Sequence, residues 1–135
     1  MMSIEQRQEQ ILKTLNAFPN ASDRYEYIIE RGITQPQMDE SERAKALRVP
    51  ECKTGIWMNM SHDGKTLSLR LDSDSIIMRG ILSLIQSIFH GADCTELENA
   101  AFTLHEAMDI GDFMNSDRAQ GLSQLMQRIR HAASS

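Results

Sequence analysis

The chain has 135 residues, enough for one domain (1–135) with its own core and no need of disulfide or metal staples. Fourteen Lys and Arg against 19 Asp and Glu leave a net charge of −5, which argues against a general nucleic-acid binder, since phosphate binding needs a field of cations. No apolar run approaches the roughly 18 residues of a membrane span, no secretory h-region follows Met1, and two cysteines make no disulfide framework; a cytoplasmic chain with reduced thiols and no membrane partner is expected.

Ser3 and Gln6 have capping-box spacing, and Ile4, Ile11, Leu12, Leu15 and Phe18 then share one helical face up to Pro19 and Asn20. Ser22 is the expected cap of a second, shorter helix carrying Tyr25, Ile28 and Ile29, with Gly32 as its stop. A polar connection with Pro36 leads to a helical turn over 41–46 and a short edge strand over 47–50, which Pro50 ends. Ile56, Met58 and Met60 alternate with Trp57 and Asn59, and Leu67, Leu69 and Leu71 alternate with Ser68 and Arg70. Asp63-Gly64 between the two runs marks an antiparallel hairpin.

The cluster Asp72-Ser73-Asp74-Ser75 opens the most apolar helix, whose Ile76, Ile77, Gly80, Ile81, Leu84, Ile85, Ile88 and Phe89 read as a central, buried element stopped by Gly91. Thr95 with Glu98 and Thr103 with Glu106 are spaced as capping boxes of two short helices, the second interrupted by Gly111. Ser116 is the expected cap of a last helix with Leu122, Leu125, Met126 and Ile129 inward, and Arg128 and Arg130 near its C-terminus. Two helices, a small antiparallel sheet and four more helices make an α+β domain.

Few groups offer chemistry. There is no Gly-rich phosphate loop and no nucleophile elbow. His90 and Cys94 stand four apart with no second ligand pair, which falls short of a zinc site. Asp72 and Asp74 read as paired carboxylates or, more simply, as helix-capping residues. Cys52 lies on the connection Pro50-Glu51-Cys52-Lys53-Thr54-Gly55, just before a strand. Lys53 and Arg48 favour its thiolate and Glu51 opposes it; a buried cysteine acting as a small hydrophobe is the other reading, and the residues alone leave both open. Cys94 precedes a helix start, where nothing else converges.

Taken together, four segments in order resemble the SufE family of sulfur-acceptor proteins. They are Asp23-Arg24-Tyr25-Glu26-Tyr27-Ile28-Ile29-Glu30-Arg31-Gly32, then Arg48-Val49-Pro50-Glu51-Cys52-Lys53-Thr54-Gly55-Ile56-Trp57-Met58, then Asp72-Ser73-Asp74-Ser75-Ile76-Ile77-Met78-Arg79-Gly80-Ile81-Leu82, and last Asn115-Ser116-Asp117-Arg118-Ala119-Gln120-Gly121-Leu122. The resemblance implies an α+β fold related to IscU-type scaffolds, with a small antiparallel sheet packed against several helices. It implies that Cys52 accepts persulfide sulfur from a SufS- or CsdA-like cysteine desulfurase, stimulating it for Fe–S cluster assembly, without a cofactor, a metal or turnover of its own.

A Fe–S scaffold is a further implied partner, and a homodimer is left open. Glu51, Lys53, Asp74 and Arg118 are carried over as residues bordering the docking surface. In place of the family's usual Gly before the cysteine stands Glu51, a charge where a desulfurase docks, and Thr54 keeps the family's small hydroxyl. Two other functions stay beside this one: a docking-only regulator of a desulfurase, and a cluster or metal scaffold, which needs several converging thiolates.

Overall fold

The computed structural model describes residues 3–49, 55–97, 104 and 116–133. Helix α1 (Ile4–Asn16) opens on the expected capping box: Ser3 Oγ accepts from the Gln6 N–H, and Gln6 Oε1 accepts from the Ser3 N–H. Helix α2 (Ala21–Thr34) is capped by Asn20, not Ser22. The Asn20 Oδ1 takes the Asp23 N–H at 2.8 Å, one of the orphan amides of the first turn. With 14 residues against 13 in α1, it is not the shorter of the two. Gly32 does not stop it. The helix runs on to Thr34 and ends where Gln35 turns extended ahead of Pro36.

The short helix α3 (Glu40–Lys45) occupies the expected turn, with the Asp39 carboxylate accepting from the Glu42 N–H. Strands β1 (Leu47–Arg48), β2 (Ile56–His62) and β3 (Leu67–Ser73) form an antiparallel sheet in that order. In the turn, Asp63 accepts from the Lys65 and Thr66 N–H groups while Gly64 takes the positive φ of 90° that favours glycine. The alternation reads out as two faces. Ile56, Met58, Leu67, Leu69 and Leu71 point into the core, and the opposite face carries Arg48, Trp57, Arg70 and Asp72, with Arg48 opposite Trp57 and Trp57 opposite Asp72.

Helix α4 (Ile76–Phe89) lies against α2 and β3 and is buried nearly all round, which makes it the centre of the core. Each Leu or Ile side chain enclosed there contributes about 1.5–3 kcal/mol. Its cap is Ser75, whose Oγ takes the Met78 N–H, so neither Asp72 nor Asp74 caps it. Gly91, with φ 79°, follows its end as expected. The free side of β3 is closed by the same chain. The Leu67, Leu69, Leu71 and Ser73 N–H groups donate to the Ala92 carbonyl, His90 Nδ1, Gln86 Oε1 and Asp72 Oδ1 respectively.

Helix α5 (Cys94–Leu97) begins on Asp93, which accepts from both the N–H and the hydroxyl of Thr95, so Asp93 takes the place foreseen for Thr95. Glu98, Thr103, Glu106 and Gly111 lie outside the described residues. Leu104 is buried, and its N–H donates to Gln8. Helix α6 (Ser116–Ala133) starts at Ser116 itself and buries Leu122, Leu125, Met126 and Ile129. Among the described residues three helices precede the sheet and three follow it. The α+β class is as read from the sequence. No helix there is long and apolar enough to cross a membrane.

Candidate functional site

Cys52, Glu51 and Lys53 lie outside the described residues, together with Pro50 and Thr54. The frame on either side of them is described. The Val49 N–H donates to the Ile56 carbonyl at 2.9 Å, and the Ser73 hydroxyl donates to the Gly55 carbonyl at 2.6 Å. Both ends of the cysteine segment are thereby fixed to the sheet. Gly55 is buried, and a Cβ on it would lie 2.5 Å from the Trp57 ring and 2.7 Å from Asp74 Oδ2. Only glycine lets these two side chains close on the backbone at that point.

Over Trp57 two cations gather. The Arg43 guanidinium stands 4.1 Å from the ring centroid and that of Arg48 stands 6.0 Å away, within cation–π range. Arg43 also donates to Asp74 Oδ1 at 2.9 Å and to Asp72 Oδ2 at 3.2 Å. Its Nε is buried and meets no acceptor. Asp72 is fully buried beneath this group. Burial alone pushes its carboxyl up, but hydrogen bonds from the Met38 N–H, the Ser73 N–H, Arg79 and Arg43 outweigh that and hold it below the usual carboxylate range.

Asp72 and Asp74 therefore share one arginine rather than one proton, and no acid–base pair is formed. Asp74 is exposed and sits directly on Gly55, beside the segment it is expected to border. Arg118 is in the first turn of α6 and partly buried. Cys94 is in the core at 8% exposure, where burial first, then the charges of Asp93 and Asp63, push its thiol up. His90 Nδ1 is occupied by the Leu69 N–H and His62 Nδ1 by the Gly64 N–H. The described residues bring together no group of three or more His, Cys, Asp or Glu able to hold a metal ion.

Sequence reasoning does not single out Arg43, Arg79 or Ser73. The signal for them is slight: the period-2 pattern puts Trp57 and Asp72 on the face away from the core, where a cation has to answer the carboxylate.

Three comparisons bear on this arrangement. The family described as SufE, Fe-S metabolism associated domain, matches residues 9–133. An uncharacterized SufE-like protein of Rhizobium etli is 27% identical over 130 residues, covering 93% of this chain and 88% of the relative. One of Rhizobium meliloti is 28% identical over 130 residues, covering 93% of each. The solution structure of a hypothetical protein from Thermus thermophilus superposes with a TM-score of 0.75 at 15% identity, over 95% of this chain and 93% of that one, and so shares the fold.

Proposed function

The chain belongs to the SufE family, associated with Fe–S metabolism, and from that premise we propose that it is a cytoplasmic sulfur-transfer accessory protein of iron–sulfur cluster assembly. Cys52 is the acceptor. Its thiolate attacks the outer sulfur of a persulfide carried by a pyridoxal-phosphate cysteine desulfurase. A new S–S bond forms on Cys52 as the desulfurase's S–S bond breaks, and the desulfurase cysteine leaves as a thiolate, with no net gain or loss of electrons. Clearing the desulfurase in this way stimulates it, and the Cys52 persulfide then passes its sulfur to a scaffold. The protein turns over no substrate of its own.

The observation that carries this reading is the state of the other cysteine. The chain has two, and Cys94 is enclosed in the core with its thiol pushed up, the opposite of what a nucleophilic thiolate needs. Two residues, Lys53 and Thr54, separate Cys52 from Gly55, so the chain allows a reach of at most about 11 Å from Gly55, on which Trp57 and Asp74 pack. Glu51, Lys53, Asp74 and Arg118 are the partner-facing residues in this reading.

The test is peptide mass analysis after incubation with a cysteine desulfurase and cysteine, without reductant. Added sulfur is expected on Cys52 alone, and Cys52→Ser, folded as the wild type, is expected to take none. Sulfur accepted normally by that variant would overturn the assignment. Glu51, a charge in the position next to the cysteine, favours a docking-only regulator as the second reading; stimulation that survives loss of Cys52 would establish it.

A further inference from the structure

We propose that Arg43 is the positioning residue of sulfur acceptance, holding Trp57 and Asp74 closed on Gly55, where the cysteine segment rejoins the sheet. The inference rests on the acceptor reading above. The two groups that a Cβ on Gly55 would strike are the Trp57 ring and the Asp74 carboxylate, and Arg43 touches both: its guanidinium lies over the ring at 4.1 Å and donates to Asp74 at 2.9 Å. One side chain, on a different element, thus sets the position of both groups that pack on the exit of the segment.

A purely structural account of Arg43 is weak. Asp72 already receives the Met38 and Ser73 N–H groups and Arg79, so a fourth donor is not needed to keep its charge. The Asp74 side chain is 62% exposed, and ion pairs with so exposed a partner stabilise little. The Arg43 Nε is buried without an acceptor, which is a cost. What the residue secures is placement. Its flat guanidinium does two things at once, stacking on Trp57 and forking between Asp72 and Asp74, and a lysine cannot do both.

The two sides of the contact give paired variants. Arg43→Ala removes the group that holds Trp57 and Asp74, and Gly55→Ala pushes the same two side chains away from the other side. The chain has a single tryptophan, so its emission reports the contact directly. Sulfur loading of Cys52 by a cysteine desulfurase would be followed against acceptor concentration for the wild type, Arg43→Ala, Arg43→Lys, Gly55→Ala and the double variant.

Both alanine variants are expected to shift the Trp57 emission and to lower the limiting rate roughly tenfold, with the half-saturating concentration changed less than about twofold. The double variant is expected to be no slower than either single one, because both break one contact. Arg43→Lys, which keeps the charge and secures the fold, is expected to recover part of the rate. A shifted emission with an unchanged limiting rate in Arg43→Ala would overturn the proposal. Should the wild type itself take up no sulfur, the acceptor reading fails. The hold of Arg43 on the cysteine segment is then read separately by alkylation of Cys52 with iodoacetamide, with Cys94 as the enclosed control: a faster rate in Arg43→Ala shows that hold without a role in sulfur acceptance, and an equal rate overturns the hold as well.

Discussion

Asp72 and Arg79 face each other at 2.9 Å inside the protein, the carboxylate at the end of β3 and the guanidinium on the first turn of α4, and both are nearly out of solvent. Arg79 also donates to the Ser73 carbonyl, so it ties strand to helix through two oxygens. The pair is compensated only while both members are charged. Asp72→Asn leaves Arg79 enclosed without its counter-charge and is expected to destabilise the fold by about 3 kcal/mol in urea unfolding at neutral pH.

The same carboxylate sets part of the acid limb. Its folded-state pKa lies below the unfolded value of about 3.9, so its contribution is fully present above that value. It is lost as pH falls through the lower, folded value. The stability of the wild type is expected to drop more steeply than that of Asp72→Asn below about pH 4, measured as urea midpoints from pH 6 downward. Parallel curves would show that the Asp72 carboxyl titrates alike in the folded and unfolded protein.

Gly32 and Gly80 bring α2 and α4 together backbone to backbone. A Cβ on Gly80 would collide with the Ile28 carbonyl oxygen, and one on Gly32 with that of Ile76. Neither obstacle is the end of a flexible side chain. Gly80→Ala is expected to lower the urea midpoint by the equivalent of about 2–3 kcal/mol, despite the better helix propensity of alanine, with an unchanged m-value. A gain in stability would mean that the helices separate freely.

Cys94 is enclosed and its thiol is pushed up, so it should be silent in the native state. Cys94→Ala is expected to load sulfur as the wild type does. In the wild type, iodoacetamide is expected to reach Cys94 only at the rate of unfolding, visible in site-resolved mass analysis.

Gln86 and His90 reach back from α4 and its C-cap to the amides of Leu71 and Leu69. Replacing either by Ala removes one acceptor and is expected to cost about 1 kcal/mol. Hydrogen exchange should speed at Leu71 for Gln86→Ala and at Leu69 for His90→Ala, with Leu67, which uses the Ala92 carbonyl, left as control.

What is legible in the sequence is local or periodic. The box at Ser3 and Gln6 spans one turn, and the run of Leu67, Leu69 and Leu71 admits one register because one face must be buried. Gly32 reads as a stop because a glycine near a helix end serves equally for a stop and a close crossing, and only α4 decides between them. Among Asp72, Ser73, Asp74 and Ser75 four caps compete. Ser75, directly before the first helical residue, takes the Met78 N–H, while Asp72 is engaged by Arg79 and Asp74 by Arg43. Arg43 itself is invisible in the sequence, since its carboxylate partners lie 29 and 31 residues on. Cys52 stands out by resemblance to a family and not by spacing.

With the outward amides of Leu67, Leu69, Leu71 and Ser73 all engaged within the chain, β3 has no N–H on that edge to offer a visiting strand. At the other margin β1 is only two residues long. A neighbour on the β3 side must therefore grip side chains and connecting segments instead of donated amides. On the reading proposed above, the giver and the taker of sulfur would then meet side chains on that side of the sheet rather than an added strand.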